Sequence, residues 1–227
     1  MSKNILMVVT SNDRLGDHGA TGTWLEELAA AYYTFVDAGH TVSIASTRGG
    51  HAPLDPGSLQ EPWLTSIGRR FQQDARATAA LNATLPIEAV TASAYDAIFL
   101  VGGAGTAWDF PASAPLTKLI ETLDRSGRVL AGVCHGVLGL TAARCPHGKA
   151  LVEGRAVTGV SNAEERAIGY DKIVPLLPED RMTQLGARYS CAAEPFQAHV
   201  VRDGNLLTGQ NPASAAPLAV EVLRALA

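Results

Sequence analysis

The chain is poor in cysteine, with three in 227 residues, at positions 134, 145 and 191. None sits in a C-x-x-C pair, and no Cys/His spacing matches a zinc site. An odd, scattered set excludes a disulfide framework and fits free thiols in a reducing compartment. No apolar run approaches the roughly 20 residues that a membrane span needs. The opening Met1-Ser-Lys-Asn-Ile-Leu-Met-Val-Val-Thr10 is too short in its apolar part for a signal-peptide core and lacks an A-x-A-type cleavage site. These readings predict a cytoplasmic protein with no membrane partner. Positive charge is scarce as well: 18 Lys and Arg against 22 Asp and Glu give a net charge of -4. Nucleic acid and anionic lipid surfaces are therefore poor partners. G-x-G-x-x-G, the P-loop lysine and H-x-x-x-H are all missing, which argues against a bound nucleotide or metal. No cofactor is expected.

What the chain does have is apolar material, 47% hydrophobic against 18% charged, enough for a large core. Short Val/Ile/Leu/Ala runs recur at 4–9, 41–46, 97–102, 128–133, 156–160 and 198–210, the last turning at Asp203-Gly204-Asn205. The first four are apolar on both faces, as parallel strands covered on both sides are. Helical patterns lie between them at 23–38, 62–81, 115–125, 135–144, 178–186 and 212–226. This alternation predicts one α/β domain over 1–227, a doubly wound, mostly parallel sheet with helices on both faces. Asp-Gly-Asn adds an antiparallel hairpin near the C-terminus. Ligands of such sheets bind beyond the carboxyl ends of the strands, so residues 10–21, 102–105, 134–135 and 159–165 should meet at one edge.

One of those segments carries a reactive pattern. The run Val129-Leu-Ala-Gly-Val breaks at Cys134-His135-Gly136, and Gly132-x-Cys134-x-Gly136 is the cysteine form of a nucleophile elbow. A cysteine at a strand-to-helix turn sits at a helix N-terminus, where free N–H groups favour the thiolate. Two acidic pairs stand near it in the predicted topology. Thr23-x-x-Glu26 and Ser161-x-x-Glu164 read as capping boxes, which leaves Glu27 and Glu165 free to turn inward. A carboxylate reaching His135 would orient the imidazole and raise its basicity. Gly102-Gly103-Ala104-Gly105 ends a strand and could present backbone N–H groups to an oxyanion, with the His135 amide as second donor. Ala104, Trp108 and His18 are candidates for the wall of the substrate pocket.

Ala131-Gly-Val-Cys-His-Gly136, Thr21-Gly22 followed by Glu27, Val157-Thr-Gly159 followed by Glu165, and Thr208-Gly-Gln-Asn-Pro-Ala-Ser214 together resemble the ThiJ/PfpI superfamily. The similarity extends to Tyr33-Thr-Phe-Val-Asp-Ala-Gly39 and Pro53-Leu-Asp-Pro56 and runs from the first strand to the last helix. The branch it most resembles is that of heat-shock chaperones with glutathione-independent glyoxalase (glyoxalase III, or D-lactate dehydratase) activity. The resemblance implies the class I glutamine amidotransferase-like fold, with Cys134 as nucleophile, His135 beside it and Glu165 as the triad acid. It also implies Glu27 as the glutamate bonded to the sulfur, Gly103 in the oxyanion hole, and a homodimer. This chain has Ala104 where many members of the branch carry histidine, and Val137 where they carry proline.

The resulting expectation is an enzyme for a small-molecule aldehyde. Cys134 would form a hemithioacetal with methylglyoxal or a related α-oxoaldehyde, and the product would be a 2-hydroxy acid. The alternatives are a redox-sensing stress protein or holding chaperone, and a cysteine hydrolase or hydratase acting on amides, peptides or isonitriles.

Overall fold

A computed structural model describes all residues, 1–227. Seven strands form the main sheet: β1 (Asn4–Val9), β2 (Thr41–Ser46), β3 (Leu85–Pro86), β4 (Ala97–Leu100), β5 (Val129–Val133), β8 (Val200–Asp203) and β9 (Leu206–Gly209). Their order is β3-β2-β1-β4-β5-β9-β8, and every pair is parallel except β8 with β9. The antiparallel pair is the hairpin predicted at Asp203-Gly204-Asn205, with Asp203 opposite Leu206. The helices are α1 (Leu25–Asp37), α2 (Ser66–Gln73), α3 (Ala75–Asn82), α4 (Thr106–Asp109), α5 (Ala114–Arg125), α6 (Asn162–Ile168), α7 (Pro178–Gln184) and α8 (Ala215–Leu226). None is long and apolar enough to cross a membrane.

The doubly apolar strands do what their composition demands. Side chains alternate across a strand, so Ile5, Met7 and Val9 enter one core with Phe35, Phe71 and Phe99, on the side of α1 and α8. Leu6 and Val8 enter the other, with Phe110, Leu116 and Ile120 on the side of α5. The same alternation divides Ala131 and Val133 from Leu130 in β5.

Three expected elements differ. The helix expected over 62–81 breaks at Asp74, whose side chain accepts from the Arg76 and Ala77 amides and so caps α3. The run at 156–160 does not join the main sheet: β6 (Ala156–Val157) pairs with β7 (Arg188–Tyr189) in a separate two-stranded ribbon. Beyond β5 the chain enters a 3₁₀ stretch, Cys134–Leu140, rather than an α-helix over 135–144. Asn211 caps a 3₁₀ turn, Pro212–Ser214, that leads into α8, its side chain accepting from the Ser214 amide.

The strand order reverses direction at β1, between β2 and β4, and ligand crevices of open α/β sheets open beyond such a point. Here α1 starts where Trp24 gives its N–H to the Gly102 carbonyl at 3.1 Å, which brings the first turn of α1 over the ends of β4 and β5.

Candidate active site

Cys134 follows β5 directly with φ of +56°, the left-handed region that costs a non-glycine residue free energy. The small residues around the bend make it feasible. A Cβ on Gly136 would strike the backbone of Leu100 and Val101, and one on Gly132 would press on Val137 at 3.3 Å. His135, next in sequence, places Nδ1 3.4 Å from the Cys134 sulfur. Its other nitrogen, Nε2, lies 2.5 Å from Glu165 Oε1, and both side chains are buried.

Glu165 reaches that position as the sequence predicts. The Ser161–Glu164 capping box is complete at the start of α6, and Glu165 on the next position is fully buried. Glu27 is inward for a different reason. The Thr23–Glu26 capping box does not form: Trp24 is the capping residue and its side chain makes no cap bond. Glu26 instead accepts from the Thr65 hydroxyl, and Thr65 in turn caps α2. Glu27 is buried because α1 is covered on most of its surface, with Leu25, Leu28, Ala29, Ala30 and Ala31 buried beside it.

The electrostatics follow from burial. The Glu27 carboxyl faces the Cys134 thiol and the Gly102 amide, neither in good hydrogen-bond alignment. Desolvation outweighs those groups and pushes its pKa up to about 8, so Glu27 holds its proton at neutral pH. Burial also pushes the Cys134 thiol up, reinforced by the charges of Glu27, Glu165 and Glu164. The sequence expects a helix N-terminus to favour the thiolate; the segment that follows is instead a seven-residue 3₁₀ stretch of buried residues, and burial works against the charged sulfur. The sulfur and Glu27 are a coupled pair. With the proton on Glu27, the carboxyl becomes a donor and its charge no longer opposes thiolate formation. For His135 burial works downward, but the Glu165 charge and hydrogen bond outweigh it and leave the imidazole pKa raised.

These groups meet at a cavity of about 70 Å³ lined by Cys134, His135, Glu27, Gly103 and Ala104. Gly103, at φ +110°, donates its amide to no protein group. Two expected wall residues are elsewhere. His18 is exposed on the turn in which its amide donates to Leu15 O. Trp108 packs on the satellite cluster of Leu15, Ala107 and Leu138 and borders a different cleft beside Arg48. Loop 10–21 meets the site instead through Thr21, whose hydroxyl donates to Asp55 at 2.7 Å. Asp55, Trp24, Trp63, Tyr170 and Phe196 also line the cavity. Sequence reasoning assigned none of them, although Asp55 lies inside the quoted Pro53-Leu-Asp-Pro56.

Residues 20–225 match the sequence profile of the DJ-1/PfpI family. The chain belongs to the DJ-1/PfpI family. Among curated members of this family, the glutathione-independent glyoxalase HSP31 of Saccharomyces cerevisiae is 32% identical, with 99% of this chain and 98% of the relative aligned. Among solved structures, Rapid Encystment Protein 24 kDa of Francisella tularensis superposes with a TM-score of 0.94 at 34% identity, covering 99% of both chains. Glyoxalase III of Candida albicans superposes at 0.92 with 26% identity, over 98% of this chain and 97% of that one. The expected doubly wound, mostly parallel fold is thus the DJ-1/PfpI fold.

Proposed function

We propose that this DJ-1/PfpI protein is a glutathione-independent glyoxalase that converts methylglyoxal or a related α-oxoaldehyde to a 2-hydroxy acid. The observation that carries the reading is a buried sulfur set between the Glu27 carboxyl and an imidazole–carboxylate pair, His135 and Glu165. Relatives that match this chain over nearly their whole length and are named as glyoxalases support it.

His135 takes the thiol proton, and the Cys134 sulfur attacks the aldehyde carbon to form the C–S bond of a hemithioacetal. The new oxyanion lies at the free Gly103 amide, with the His135 amide as second donor. The oxyanion takes back the thiol proton from His135; Glu27 and His135 then carry the proton of the former aldehyde carbon to the neighbouring carbon and the hemithioacetal hydroxyl proton to that neighbour's oxygen. The aldehyde carbon is oxidised to the acid level while its neighbour is reduced to an alcohol, so no outside oxidant or reductant is consumed. Water then cleaves the thioester, releasing the 2-hydroxy acid and the thiol.

The cavity, at about 70 Å³, agrees with a small substrate, far below the roughly 300 Å³ at which drug-sized sites begin. A redox sensor calls for an exposed, low-pKa thiol, whereas Cys134 is 7% exposed. The same reading includes a small-molecule aldehyde as partner, a homodimer and a cytoplasmic location. The test is lactate formation from methylglyoxal without glutathione. Turnover lost in Cys134→Ala supports the proposal, and no lactate from the wild type overturns it.

A further inference from the structure

The cavity has an apolar mouth. Trp63, Ile168 and Phe196 expose 42%, 43% and 40% of their surfaces, and all three line the cavity that holds Cys134. They come from separate parts of the chain: the loop before α2, the last residue of α6, and the irregular segment before β8. Trp63 is seated edge-on against Trp24 with ring centres 5.8 Å apart, and its other neighbour is Phe196 at 6.4 Å. Phe196 is held in place at a cost. Its φ is +66°, and its amide is fixed by the Glu164 carboxylate at 2.8 Å. Side chains of this size left in water side by side mark a binding surface.

The charge of the lining narrows what can bind. Its carboxyls belong to Glu27, Asp55 and Glu164, and it includes no lysine or arginine. Asp55 is already bonded to Thr21 and the Gly57 amide. Glu164 is occupied by Ser161, Gln210, Asn211 and Phe196. No group at the mouth is left to neutralise a substrate carboxylate or phosphate.

We infer that Trp63 and Phe196 determine specificity for neutral α-oxoaldehydes bearing an apolar or aromatic substituent, which lies against their rings while the aldehyde carbon meets Cys134. This rests on the glyoxalase reading and names its substrate class. One apolar group in a hydrophobic pocket discriminates by about ten-fold or more.

The test compares kcat/KM of the wild type for phenylglyoxal, glyoxal and 4,5-dioxopentanoate, the last carrying a carboxylate. The expected order places phenylglyoxal about ten-fold above glyoxal, with 4,5-dioxopentanoate below both. In Trp63→Ala and Phe196→Ala the phenylglyoxal-to-glyoxal ratio should fall about five-fold or more, mainly through KM for phenylglyoxal. Equal kcat/KM for phenylglyoxal and glyoxal in the wild type overturns the inference, and this arm needs no variant to fold. So does a ratio unchanged in both folded variants. Turnover of glyoxal without the phenyl preference spares the glyoxalase reading, whereas no turnover of any of the three defeats both.

Discussion

The Glu164 carboxylate accepts the amide of Phe196, 32 residues away, at 2.8 Å. It also accepts from Asn211, Gln210 and both the amide and hydroxyl of Ser161. One buried side chain thus ties the mouth of the cavity to the cap of α6, which carries Glu165. Glu164→Gln puts an NH₂ among these donors, and hydrogen bonds to a charged group contribute about 1.5–3 kcal/mol each. We expect a loss of roughly 3 kcal/mol in unfolding free energy, read by urea denaturation, and faster proteolysis in the 190–199 segment.

Removing the sulfur should separate activity from stability. Cys134→Ala is expected to lower lactate formation at least about 10³-fold. The unfolding free energy should move by only about 1 kcal/mol, because the surrounding core is kept. An activity loss matched by unfolding would instead make the residue structural.

Glu27 predicts a pH dependence of stability. Its pKa rises from 4.5 to about 8 on folding, so the native state binds more protons between those values. The associated stabilisation is complete below pH 4.5 and is lost as the pH rises through about 8. The slope of this one group is at most about 1.4 kcal/mol per pH unit. Glu27→Gln removes it, and the stability of the variant relative to wild type should increase steadily across that window. Parallel stability curves for the two proteins would contradict the raised pKa.

Glu165→Gln should act on the imidazole. With the Glu165 charge gone, burial is the dominant influence left on His135, and its pKa should drop. Histidine titration by NMR reads the shift directly. In the wild type the ion pair stabilises the fold below the ordinary histidine pKa of 6.5, and this contribution is lost as the pH rises through the raised value. In the variant it should be absent. Turnover should fall about 10²-fold or more.

The sheet was largely legible because strands covered on both faces must be apolar at every position, as Ile5 to Val9 are. The elbow was legible because Gly132 and Gly136 leave little else that the bend could be. Local signals that compete were misread. Thr23 and Glu26 have the spacing of a capping box, yet Thr65, distant in sequence, takes the glutamate. Asp74 is a strong capping residue set within a continuous helical period, and the cap wins. The short run at 156–160 is as apolar as a main-sheet strand, and only the fold sends it to β7. Trp24, Trp63 and Phe196 could not be placed at the site, since a loop aromatic looks the same in sequence whether it fills a core or borders a cavity. His18 and Trp108 failed for a related reason: closeness to a strand end along the chain does not fix which side of that end a side chain occupies.

The burial of Cys134 also decides what a thiol count on the native protein would measure. Of the three free cysteines, Cys191 is exposed, Cys145 is half-buried and Cys134 is buried. A bulky colorimetric reagent therefore reports on Cys191 first and reaches the sulfur at the cavity floor last. Native labelling could reach completion at the surface with the reactive centre untouched, so thiol modification and loss of turnover will follow separate time courses.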